Sequence, residues 1–449
     1  MPLLVALVAA GLRVPLLWDD RWAPGYDGGY YLLQVGSWVE GQPIFADRSL
    51  VYPLLGLFAR ASGDLVLGNK LAATVFAALT AGLGAWGARA WLGSWLPGLV
   101  LGLWWACSPL HLGVSAEFLK NAAGLVVLAA VFAQLPGSRG WRLLPLGLTL
   151  ALGLGVHKLT GLLGVGLAGS TLLLRQDLPR WAWLVGGALI ALSTLSVGLL
   201  RPEDFERFLG GGQTPRSALF GDLLSWPERL EVAALLVSPA LLLLALRGRP
   251  ELRELGLPLC LLAALCTALY LPFGWDLSSW RLMLMGFVPL GALAALAVHR
   301  LPWLAAAVIP ALLLAALPAA RHQAGREPDY AAWAEQLSRI QAAVPEADRV
   351  VAHRGLCGFI WSEGDRVCEN FQPQGDLSGW WRVAYGIGEQ RLAPYAEAPV
   401  PLLPGYTLVR EAEWQAFRQA NEGRYSLLTD ERNPWQPRPG FVYGPEGAP

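Results

Sequence analysis

The chain has 449 residues, 54% of them hydrophobic and only 15% charged, with a formal net charge of zero and a mean hydropathy of +0.42. A soluble domain carries about a quarter charged residues, so this composition excludes a protein folded wholly in water. The zero net charge also argues against nucleic acid as a partner.

Met1 to Trp18 is apolar and has neither a basic leader nor a small-residue cleavage site. It is expected to be a retained first span rather than a signal peptide. Trp18 to Asp64 is the first polar interruption, with carboxylates at Asp19, Asp20, Asp27, Glu40, Asp47 and Asp64. After Asp27 the apolar residues fall at Tyr31, Leu32, Val35, Trp38 and Val39. That spacing predicts a short helix near 28–40 with one apolar stripe, leaving Gln34, Ser37 and Glu40 off it. Such a helix is too short to cross a bilayer and is expected to lie in the interface, with Tyr31 and Trp38 at headgroup depth. Asp27 would then stand at its N-terminus, where the helix dipole favours a carboxylate. Tyr52-Pro53 precedes a second short apolar run, Leu54 to Phe58.

Apolar runs long enough to cross fall near 1–18, 68–88, 94–109, 119–135, 143–157, 158–175, 181–199, 231–246, 255–273, 281–299 and 302–318, about eleven helices. With the N-terminus in the cytoplasm, the inner loops hold Arg89, Arg139, Arg142, Arg175, Arg180, Arg247, Arg249, Arg253 and Arg300, as the positive-inside rule requires. Residues 19–67, 110–118, 200–230 and 274–280 then lie outside, with the tail. Trp18, Trp22, Trp91, Trp95, Trp181, Trp226, Trp275 and Trp280 fall near span ends, as an aromatic belt does.

After Ala319 the composition turns polar. Asp329 to Ala343 reads as a helix, Arg349 to Ala352 as a short strand, and Glu411 to Ala420 as a helix behind Tyr406-Thr407-Leu408. The expected class is therefore a polytopic α-helical membrane protein at 1–319 with a small extracytoplasmic α/β domain at 320–449. Cys107, Cys260 and Cys266 lie inside expected spans as packing residues. Cys357 and Cys368 lie in the external tail, either as a disulfide or as two free thiols. No Cys or His spacing reads as a zinc site.

Several short motifs in the first third of the chain carry a family resemblance. They are Leu12-Arg13-Val14-Pro15, Asp27-Gly28-Gly29-Tyr30-Tyr31, Gly41, Tyr52-Pro53-Leu54 and Gly63-Asp64. In this order they resemble the GT-C superfamily of membrane glycosyltransferases, in particular its protein-mannosyltransferase-like and lipid-A-sugar-transferase-like branch. Many relatives have Glu where this chain has Gly28, and a second Pro where it has Leu54. The resemblance implies the GT-C fold, with 19–67 as a catalytic first external loop. It also implies an inverting glycosyltransferase of a bacterial inner or plasma membrane. Such an enzyme moves a sugar from a polyprenyl-phosphate donor to a lipid, glycan or protein acceptor.

Asp27 is the leading candidate for the base that such a transfer needs, and a helix N-cap accounts for it equally well on residue type. Asp19 and Asp20 are its rivals. Glu117, in the stretch His111 to Asn121, corresponds to an acidic residue with which relatives position the acceptor or a metal. A divalent metal ion is therefore left open by the resemblance. Glu117 and Lys120 are also spaced for a local ion pair. The donor phosphate would need cations at membrane depth, and His157, Lys158, Arg13, Arg201 and Arg281 are the candidates. Each is also placed as a snorkelling side chain would be. A polytopic transporter or flippase for lipid-linked saccharides is the alternative, against which stands the lack of two similar halves.

Overall fold

The computed structural model describes residues 1–18, 28–39, 49–175, 226–247, 253–267, 282–324, 330–352, 356–357, 359–360, 368–369, 376–385, 388–402 and 406–421. The chain divides into two compact units, Met1–Arg21 with Ala46–Arg326, and Trp22–Phe45 with Glu327–Pro449.

The first unit is a helix bundle. Its elements are α1 (Pro2–Leu17), α3 (Val51–Ser62), α4 (Leu65–Leu92), α5 (Trp95–Cys107), α6 (Pro109–Glu117) and α7 (Leu119–Gln134). They continue with α8 (Leu143–Val156), α9 (Lys158–Leu173), α10 (Trp226–Leu246), α11 (Arg253–Cys266), α12 (Phe287–Arg300) and α13 (Ala305–Ala324). Local sequence sets the boundaries. Gly63, at φ +73°, closes α3, and Asp64 caps α4 by accepting the amide of Leu67 at 2.6 Å. Gly93 and Ser94 repeat this between α4 and α5. α4 is central, packed against α1, α3, α5 and α7. Its small residues permit the close approach: a Cβ on Gly102 of α5 would stand 2.8 Å from Ala85 Cβ and 2.8 Å from Val5 Cγ1.

Among the described residues, four helices are long and apolar enough to cross a membrane: Leu65–Leu92, Leu119–Gly137, Leu282–Arg300 and Pro302–Arg321. The pair α5 and α6 makes a fifth if counted as one span bent by 52°. The shorter apolar helices lie at Pro2–Pro15, Gly140–Val156 and Lys158–Leu173. The expected span at 181–199 lies outside the described residues. Residues 110–117 of the stretch expected outside are helical. They form α6, which is buried from Leu110 to Ala116, because Ser108 and Pro109 start a new helix as soon as α5 ends.

The bundle has two chemically distinct ends. At one end, Trp91 Nε1 near the end of α4 donates to Phe132 O near the end of α7 at 3.1 Å. Arg175, just past α9, donates to Leu135 O at 2.8 Å and Ser138 O at 3.2 Å, and pairs with Glu254 of α11 at 2.9 Å. Arg300 reaches Arg247 O at 3.2 Å. The short arginine-bearing connections thus meet one another. The first turns of α4 and α7 and the α8–α9 junction lie at the opposite end.

The second unit contains α2 (Gly28–Val39) and most of the tail. In α2 the buried set is wider than the expected stripe. Gln34 and Ser37 are buried, with Ser37 Oγ donating to Gln34 O at 3.0 Å, whereas Trp38 is exposed. A helix enclosed on most of its surface does not keep a one-sided pattern. The tail forms β1 (Arg349–Val351), β2 (Cys368–Glu369), β3 (Trp380–Tyr385), β4 (Val400–Pro401) and β5 (Tyr406–Arg410), in the order β2-β1-β3-β5-β4. β1 runs parallel to β2 and β3, and the β3–β5 and β5–β4 pairs are antiparallel. Alternation along β3 and β5 sorts their residues between two faces. Trp381, Val383, Tyr406 and Leu408 join Trp333, Leu337 and Ile340 of α14 (Tyr330–Ala343). Ala384 and Val409 join Trp414 and Phe417 of a helix at Glu411–Ala420. Cys357 and Cys368 form a disulfide, with Cα atoms 5.2 Å apart.

Candidate functional site

Three remote segments meet where the expected cations lie. The first is the exit of the acidic loop: Leu50 N donates to Gly155 O at 2.9 Å, and Ser49 Oγ donates to Val156 O at 2.5 Å. The second is the α8–α9 junction. His157 breaks the helix with an extended backbone and caps α9, its Nδ1 facing the Thr160 amide at 3.4 Å and Thr160 Oγ1 at 3.2 Å. Lys158 is then the first residue of α9, half-buried. The third is the start of α7. A Cβ on Gly124 would overlap Thr160 Oγ1 and stand 2.9 Å from His157 Cβ, so α7 rests on the junction. One turn earlier, Lys120 Nζ lies 5.6 Å from the ring centre of the buried Tyr52.

Glu117, half-buried, ends α6 next to this cluster, at a second backbone break formed by Phe118. Arg13 is fully buried. Its Nε donates to Ser115 Oγ at 3.1 Å, and its Nη1 donates to Ala106 O at 2.5 Å and Ala9 O at 3.4 Å. Among the described residues only Nη2 is left without a partner, so little of this cation is available to a phosphate. Asp19, Asp20, Asp27, Arg201 and Arg281 lie outside the described residues. Among the described residues, no three His, Cys, Asp or Glu side chains come together as a metal site needs.

Glu231 is not marked by any local motif. It is buried on α10, where its Oε2 accepts from Ser108 Oγ at 2.8 Å and from Leu110 N at 3.1 Å, and its Oε1 accepts from Trp104 Nε1 at 3.2 Å. It therefore caps α6 from another helix. Beside it, His111 Nδ1 lies 2.6 Å from Trp105 O, and its ring stacks on Phe287 at 4.7 Å. A carboxylate near the start of an otherwise apolar run was the available signal, since it needs donors around it.

No family model and no curated protein matches the chain. A single-particle cryo-EM structure of the arabinofuranosyltransferase AftD from mycobacteria is similar over 78% of this chain, at 16% identity and a TM-score of 0.48. The chain spans 29% of that protein's length.

Proposed function

We propose that this protein is an inverting membrane glycosyltransferase of the GT-C type, using a polyprenyl-phosphate sugar donor on the outer face of a bacterial inner or plasma membrane. The motifs of the first loop support the family. The observation that carries the reading is the joint between Ser49–Leu50 and Gly155–Val156, because it ties the exit of the acidic loop to the backbone break bearing His157 and Lys158. In the proposed reaction a base and a leaving-group site lie on opposite sides of one sugar, and the base, Asp27, is carried by the same loop outside the described residues.

In the reaction, Asp27 removes the proton of an acceptor hydroxyl or amine. The freed lone pair attacks the anomeric carbon as its bond to the phosphate oxygen breaks, and the configuration inverts. Polyprenyl phosphate leaves with the electron pair, its charge held by His157, Lys158 and Arg281. Glu117 positions the acceptor, or a divalent metal if one is used. The arginine-bearing end faces the cytoplasm by the positive-inside rule, which puts the cluster and the disulfide-bearing tail outside. The count of about eleven spans belongs to the same reading.

The bend between α5 and α6 favours a second reading, since broken helices line the paths of transporters. Transfer of radiolabelled sugar from polyprenyl-phosphate donors in reconstituted vesicles separates the two. New glycosidic bonds support the transferase. Movement of intact lipid-linked sugar across the vesicle, with no bond formed, favours the transporter.

A further inference from the structure

The chain contains 34 Lys and Arg residues together, yet Lys70, Lys120 and Lys158 are its only lysines. Elsewhere every basic side chain outside histidine is arginine. All three lysines fall at the end of the bundle opposite the arginine-bearing connections. Lys70 is buried in the second turn of α4, and Lys120 and Lys158 stand in the first turns of α7 and α9. Lysine differs from arginine in presenting a compact point charge on a flexible stem, which suits phosphate held without a planar fork.

Helical register brings two of them to one place. Lys120 and Asn121 lie four and three residues before Gly124, on the face of α7 that rests on the α8–α9 junction. Lys158 follows His157 in that junction. Tyr52, over which Lys120 lies, is two residues from Leu50, which is hydrogen-bonded to the same junction. Asn121 is 4% exposed, and its Nδ2 has no partner among the described residues. A buried amide donor without an acceptor is costly, and a bound oxyanion would supply one.

We infer that Lys120 and Asn121 complete, with His157 and Lys158, one phosphate-binding subsite that holds the phosphate of the lipid-linked sugar. The inference rests on the glycosyltransferase reading for the identity of that lipid. It adds α7 to the donor site, and it gives Lys120 a role other than pairing with Glu117.

Having so few lysines makes the test direct. The full-length protein in detergent is treated with an amine-reactive ester, alone and with polyprenyl phosphate or inorganic phosphate, and labelling at each lysine is read by mass spectrometry. Polyprenyl phosphate is expected to slow labelling of both Lys120 and Lys158 by about tenfold. Inorganic phosphate at the same concentration is expected to protect weakly, since the lipid adds its own affinity. Protection by inorganic phosphate alone would overturn the assignment to a lipid phosphate. Protection of Lys158 with Lys120 unchanged would remove α7 from the subsite.

Binding to variants gives a second readout. Lys120→Ala and Asn121→Ala should weaken polyprenyl phosphate binding by roughly tenfold or more, and Lys120→Arg by much less. Equal affinity of Lys120→Ala and the parent protein overturns the inference whatever its fold stability. If both lysines are protected but no sugar is ever transferred, the subsite stands and the glycosyltransferase reading fails.

Discussion

Glu231 caps a helix that begins more than a hundred residues before it: its Oε2 lies 3.1 Å from the amide of Leu110 in the first turn of α6. Across the same break, Arg13 donates to Ala106 O at the end of α5 at 2.5 Å. A carboxylate thus faces a helix N-terminus and a guanidinium faces a helix C-terminus, the signs that the two dipoles favour. With both ends matched, the chain can break inside an apolar bundle and still leave few backbone groups unpaired. Glu231→Ala would strand Ser108 Oγ, Leu110 N and Trp104 Nε1 at once. It is expected to destabilise the protein by about 3 kcal/mol or more, and Glu231→Gln by about 1–3 kcal/mol, since one acceptor oxygen becomes a donor. Thermal unfolding in detergent reads both. A variant as stable as the parent would show that the break is held by other contacts.

Gly124 is the contact by which α7 sits on the α8–α9 junction. A methyl group there would overlap Thr160 Oγ1 and press on His157. Gly124→Ala is expected to cost about 1–3 kcal/mol by overpacking, despite the better helix propensity of alanine. Because the junction carries His157 and Lys158, the folded fraction should also show a raised donor KM. A stabilised variant with unchanged KM would mean that the helices separate freely at this point.

In the second unit, Arg382 on β3 and Glu411 form an ion pair with Nε–Oε2 at 2.6 Å, buried on both sides. Removing one partner leaves the other charged in a low-dielectric setting. Glu411→Ala should destabilise this unit by about 3–5 kcal/mol. Replacing both by apolar residues of similar volume should cost far less. Protease resistance of the tail in the full-length protein follows each variant, and equal losses in the single and double variants would refute the account.

The disulfide and the topology make a linked prediction. Peptide mapping without reductant should recover Cys357 joined to Cys368, and a reporter active only outside the cytoplasm should be active when fused after Pro449. A fusion active only in the cytoplasm would reverse the sidedness of the whole site.

Much of the tail was legible because its signals are local. The helices ending at Ala343 and Ala420 and the strand beginning at Arg349 match their expected positions within a residue or two. β3 was not legible: its Arg382 is buried only because Glu411 reaches it from another element. In the bundle, the apolar runs marked α4, α7 and α12 well. The stretch 110–118 was assigned to the outside because it lies between the apolar runs 94–109 and 119–135, and it is helical up to Glu117. Its burial depends on Arg13 and Glu231, which are far away in sequence. His157 and Lys158 were singled out from their place between two short apolar runs, and they stand at the α8–α9 break. Lys120 was visible only as a partner for Glu117, since nothing local says that Gly124 lies against Thr160.

The proposed reaction draws its base, Asp27, from the first acidic loop. Sugar transfer from a polyprenyl-phosphate donor by Asp27→Asn, beside the parent protein, Asp19→Asn and Asp20→Asn in the same vesicles, tests it most directly. Asparagine caps a helix nearly as well as aspartate, so the variant should fold, yet it cannot take the acceptor's proton. Turnover is expected to fall by about 10²–10⁴-fold for Asp27→Asn and much less for the other two. An Asp27→Asn protein that transfers sugar at the parent rate would contradict that assignment.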